Sequence, residues 1–142
     1  MSARSFSAAF TVDATPAQVY DAINDVRAWW SGELEGNTSA VGDEFTYRYQ
    51  DLHRSRQRIT ELVPGQRVVW HVVEAELNFV DDKDEWTGTD IIFDITRKAD
   101  GTELRFTHAG LLTNGECFND CSSAWSHYIN GALHKLILER RS

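Results

Sequence analysis

The chain has 142 residues and a formal net charge of −8, with 22 Asp and Glu against 14 Lys and Arg. A chain of this size buries roughly 70% of its unfolded surface, so it can fold as one domain spanning 1–142 without a disulfide or structural metal. The acid excess argues against nucleic acid, whose binders draw affinity from cations, and apolar runs as short as Val68-Val69-Trp70 exclude a membrane-spanning helix.

Residues 4–12 alternate, with Phe6, Ala8 and Phe10 opposing Ser5, Ser7 and Ala9, which predicts a first strand. The same stretch lacks the long apolar run of a signal peptide, so a cytoplasmic location with reduced thiols is expected. Thr15-Pro16 then opens a helix, Thr15 as N-cap and Pro16 in the first turn, with Val19, Ala22, Ile23 and Val26 as its buried stripe. Trp29 and Trp30 fall on a short second helix ending at Gly32.

From about residue 35 to 109 the period is two. Phe45, Tyr47 and Tyr49 share one strand face. On the next strand Arg54, Arg56 and Arg58 oppose Ser55, Gln57 and Ile59. Pro64-Gly65 marks a turn, after which Val68, Trp70 and Val72 alternate with Val69, His71 and Val73. An acidic loop, Asp81 to Glu85, precedes a strand with Thr89, Ile91, Phe93 and Ile95 in phase. Asp100-Gly101 predicts a tight hairpin into a strand carrying Leu104, Phe106 and His108. Short turns between neighbours require antiparallel pairing.

The last 25 or so residues return to a helical period. Cys117, Cys121, Trp125, Tyr128, Ile129, Ala132, Leu133, Leu136 and Ile137 recur at three and four. Gly131 within this helix suggests close approach of a strand. The predicted fold is α+β: a curved antiparallel sheet of about six or seven strands wrapped around one long C-terminal helix, with one or two short helices after the first strand.

This order, read with specific strings, resembles the START-like SRPBCC superfamily, whose helix-grip fold is shared with birch pollen allergen. Within it the chain is most similar to the group named after the activator of the heat-shock-protein-90 ATPase. The strings are TPAQVYDAINDVRAWW, GDEFTYRY, ITELVPGQRVVWHV, EWTGTDIIFDI, GTELRFTHAGL and ECFNDCSSAWSHYINGALHKLI, spanning roughly residues 5–138. The resemblance implies the fold and a cavity between sheet and helix. It does not carry an activity, because the superfamily holds lipid carriers, cyclases and dioxygenase domains. The eukaryotic activator also has a separate chaperone-binding domain that has no counterpart in these strings.

Five Trp, seven Phe and four Tyr supply an apolar lining for such a cavity. The phasing places Phe45, Tyr47, Tyr49, Trp70, Ile91, Phe93, Phe106 and His108 on the concave face, with Trp29, Trp30, Trp125 and Ile129 facing them from the helices. The same rings at strand spacing also describe a solid core. His108 points inward, either as a ligand anchor or base or as a core histidine satisfied by a neighbouring hydroxyl or carbonyl. Tyr47, Tyr49, His71 and Thr89 are weaker candidates of the same kind.

Cys117 and Cys121 share a helix face, a spacing that binds metal only if ligands such as His108 and His127 converge; His127, about 240° further round the helix, faces elsewhere. A pair of buried small hydrophobes accounts for them, and no metal or cofactor is expected. The arginine stripe, with Arg48, reads either as an anion clamp or as an outer face paired with Asp43, Glu44, Glu74 and Glu76.

The first functional expectation is a binder of a small apolar or amphipathic molecule, with no catalytic residue assigned. The second is a cyclase- or hydrolase-type enzyme using His108 with an inward Tyr, and the third is a co-chaperone or protein-interaction module. The chain is expected as a monomer or homodimer.

Overall fold

The computed structural model describes residues 5–29, 33–38, 40–49, 53–77, 87–112 and 125–140. Seven strands form one antiparallel sheet: β1 (Ser5–Val12), β2 (Glu33–Gly36), β3 (Glu44–Tyr49), β4 (His53–Val63), β5 (Arg67–Leu77), β6 (Asp90–Lys98) and β7 (Gly101–Leu112). Their order across the sheet is β1-β7-β6-β5-β4-β3-β2. β2 to β7 are thus a meander, and β1 closes the far edge against β7. The segment between β1 and β2 must cross from one sheet edge to the other, and α1 (Pro16–Asn24) lies on that path.

α1 starts as the sequence predicts, at Thr15 with Pro16 in its first turn. Gln18 completes the cap: its side chain accepts from the Thr15 backbone N–H while the Thr15 hydroxyl accepts from the Gln18 N–H. The expected second helix is a single 3₁₀ turn, Val26–Ala28, followed directly by buried Trp29. Trp30 lies outside the described residues, as do Asp81 to Glu85, Cys117 and Cys121.

A β-bulge sets which side chains of β5 face inward. Arg56 pairs with Glu74 but Gln57 pairs with Val72, so Val73 is an extra residue in β5. The bulge shifts the phase: Val68, Trp70 and Val72 are buried before it, and Ala75 after it. It also turns Glu74 outward, beside the arginine stripe. There Arg54 meets Glu74 at 3.2 Å and Arg58 meets Glu44 at 2.6 Å, with Arg56 between the same two carboxylates. The stripe is therefore the paired outer face rather than an anion clamp.

The β6–β7 turn differs from the Asp100-Gly101 expectation. Lys98 pairs with Gly101, so the loop is Ala99-Asp100 and Gly101 is already in the strand. Glycine is required there for a different reason: its φ is +144°, and a Cβ would overlap the Val12 carbonyl oxygen.

The terminal helix contains a π-helical segment, His127–Leu133, that runs into α2 (His134–Arg140). Trp125, Ile129, Leu133 and Ile137 are its buried line, each four residues from the last. On a helix of 3.6 residues per turn such spacing drifts about 40° per step. The wider π turn offsets that drift and keeps the line facing the sheet. Gly131 does not admit a strand. It is exposed, and a Cβ there would meet nothing within 4 Å.

Candidate functional site

The concave face has two chemically different ends. Near α1 it is hydrocarbon: Val12, Leu104, Ile95 and Val68 are buried among the helix residues Val19, Ile23, Leu133 and Ile137. α1 packs against β5, β6, β7 and α2 and covers this end.

A band of rings crosses the middle. Trp70 stands at its centre, edge-on to Phe45 at 5.1 Å and to Phe93 at 4.9 Å, with Trp29 stacked beside it. Phe93 meets Phe106 at 5.3 Å, and Phe106 meets Trp125 of the terminal helix at 4.6 Å. Such pairs add about 0.5–1.5 kcal/mol each beyond their burial. The band therefore fixes the sheet's curvature and the seat of the helix together.

Beyond the band the inward side chains turn polar. His108 is fully buried, and its partner Thr89, just before β6, is 9% exposed. The Trp125 indole N–H donates to His108 Nδ1 at 3.0 Å. An indole nitrogen can only donate, so Nδ1 carries the lone pair and the ring proton sits on Nε2. Nε2–H then donates to the Thr89 hydroxyl at 2.8 Å. The imidazole is thereby held neutral in one tautomer, with both nitrogens engaged by the protein. This fits a satisfied core histidine that positions Trp125 better than a base facing a substrate.

Further along, the Tyr47 and Tyr128 hydroxyls meet at 3.1 Å, linking β3 to the terminal helix. On β4 the same phase that sends the arginines outward sends Ser55 and Gln57 inward, and both are 0% exposed. Gln57 Nε2 donates to Ser55 Oγ at 2.8 Å. Among the described residues Gln57 Oε1 has no hydrogen-bond partner although it is buried. Its cross-strand neighbours are Phe45 and Val72, which cannot donate. Ser55 lies between Tyr47 and Ala75 across the sheet, so two small side chains adjoin Gln57 where the other end carries Leu and Ile.

Of the side chains expected on the concave face, Trp29, Phe45, Tyr47, Trp70, Ile91, Phe93, Phe106, His108, Trp125 and Ile129 are all buried. Tyr49 is in β3, but its side chain is outside the described residues. His71 instead pairs with Asp90 at 2.8 Å at the half-exposed edge of the outer face. His127 is exposed, away from buried His108. Ser55 and Gln57 were absent from the expected set. A polar pair on the inward phase of a strand is the signal that marks them.

A family model described as activator of Hsp90 ATPase homolog 1-like protein matches residues 13–137. Among solved structures the chain is similar to the Aha1 dimer from Colwellia psychrerythraea, with TM-score 0.76, 21% identity, and 96% of this chain and 98% of that one covered. It is similar to protein MLL2253 from Mesorhizobium loti, with TM-score 0.77, 15% identity, and coverage of 96% and 98%. Protein BH1534 from Bacillus halodurans follows with TM-score 0.72, 14% identity, and coverage of 96% and 99%. No curated protein matches. At these identities the likeness carries the helix-grip fold and no activity.

Proposed function

The chain belongs to the family of activator of Hsp90 ATPase homolog 1-like proteins, and within it we propose that this protein binds a small amphipathic molecule between the sheet and the terminal helix. The observation that carries the reading is the polar end of an otherwise apolar concave face. Binding sites for small molecules are apolar pockets with a few convergent polar groups. Tyr47, Ser55, Gln57 and Thr89 supply such groups beside the rings of Phe45 and Trp70. A core built only for stability gains nothing from a buried, unpartnered amide oxygen.

Catalysis is the weaker reading, because His108 commits both nitrogens to Trp125 and Thr89. A chaperone-docking role is also weaker. Such a surface needs a contiguous apolar patch, and among the described residues the exposed large hydrophobics are Val41 and Leu138. A homodimer is consistent with the similar Colwellia protein, whose solution structure is a dimer.

Native mass spectrometry of the purified protein against a lipid and metabolite library tests the proposal. A retained small molecule at one per chain, lost when Gln57 and Tyr47 are both replaced by apolar residues, is the expected result. A chain that retains nothing from a broad library of amphipathic compounds would sink the reading.

A further inference from the structure

We infer that Gln57 sets the ligand chemistry: the pocket selects neutral molecules with an O–H or N–H donor on an apolar, ring-bearing body. This rests on the cavity reading and goes beyond it in naming which functional group is recognised. Gln57 Nε2 donates to Ser55 Oγ, so the amide nitrogen is engaged while the carbonyl oxygen has no hydrogen-bond partner among the described residues. A buried acceptor without a hydrogen-bond partner among the described residues strongly favours a ligand that donates. Phe45 and Val72 flank it and complete no hydrogen bond to it.

The same geometry disfavours carboxylates. A carboxylate would set its lone pairs against the Gln57 oxygen. The arginines nearest in sequence, Arg54, Arg56 and Arg58, face outward and are paired to Glu44 and Glu74. The chain's charge of −8 adds long-range repulsion of anions. The site is thus an acceptor site for a neutral donor, beside the aromatic band of Trp70, Phe45 and Phe93.

A matched set of probes tests this: 2-naphthol carries the donor, 2-methoxynaphthalene lacks it, and 2-naphthoate is charged. Binding is read by calorimetry for the natural chain and for Gln57→Met, which keeps the side-chain length and removes the acceptor. Naphthol is expected to bind about tenfold tighter than the ether, one well-placed hydrogen bond's worth, and naphthoate most weakly. Gln57→Met should bring the naphthol-to-ether ratio to about one, chiefly by weakening naphthol. In the natural chain the Gln57 side-chain amide resonances should shift with naphthol and not with the ether, a readout that does not depend on the variant folding. If no probe binds, the cavity reading and this inference fail together. If naphthol and ether bind equally, or the ratio survives Gln57→Met, the inference fails and the cavity reading stands.

Discussion

The two ends of the concave face solve burial in opposite ways. Beside α1 the inward groups are hydrocarbon, and the buried polar side chain there, Thr102, donates to the Ala14 carbonyl at 2.6 Å. At the far end His108, Thr89, Ser55, Gln57 and Tyr47 face inward, each needing a partner because water is excluded. Stability therefore concentrates at the first end, where area removed from water counts directly. On the proposed reading, selectivity concentrates at the second, where an unmet hydrogen bond costs more than a met one gains. The aromatic band between them lets one sheet carry both.

Substitutions should separate the ends. Leu104→Ala strikes the hydrocarbon end, where Leu104 is fully buried under α1. It should cost about 2–5 kcal/mol in urea denaturation, since the rigid surround cannot collapse onto the hole. Its naphthol-to-ether selectivity should be that of the natural chain. A cost under about 1 kcal/mol, or a lost selectivity, would show that the two ends are not separate.

His108→Leu strikes the boundary. It leaves the Trp125 indole N–H and the Thr89 hydroxyl without the partner each has now. The expected cost is about 1–3 kcal/mol, below that of the cavity at Leu104. The Trp125 indole proton should shift in the NMR spectrum as its acceptor is lost. An unchanged indole resonance with a full loss of stability would mean that His108 acts by volume and not by holding Trp125.

The fold was largely legible because its strands alternate and its long helix does not. Phe45, Tyr47, Trp70, Phe93 and Phe106 fall inward by counting in twos from the turns. β2 escaped because Glu33-Leu34-Glu35-Gly36 holds one apolar residue and lies half-solvated at an edge. The Val73 bulge also escaped, since an unpaired residue leaves no local mark in an apolar run. His108 could be aimed from its own strand. Its partners could not be named, because Thr89 precedes a different strand and Trp125 comes from the helix. Gln57 was legible by phase, yet the eye goes first to the arginines on either side. The aromatic excess that first promised only a large core resolves into a band dividing two chemistries.

The smallest expected effect lies on the helix's outer side, away from both ends. Glycine is unfavourable in helices because of the freedom it loses, and Gly131 is exposed with open space where a Cβ would point. Gly131→Ala should therefore stabilise by about 0.4–1 kcal/mol through the unfolded chain, raising the melting temperature by about 2–4 °C. Buried Ile129, Leu133 and Ile137 hold the π-helical segment in place from the other side, so probe selectivity should not change. If alanine instead lowers the melting temperature, the widened turn needs glycine's freedom at 131. The seat of Tyr128 and Trp125 over the polar end would then depend on an exposed residue of the same helix.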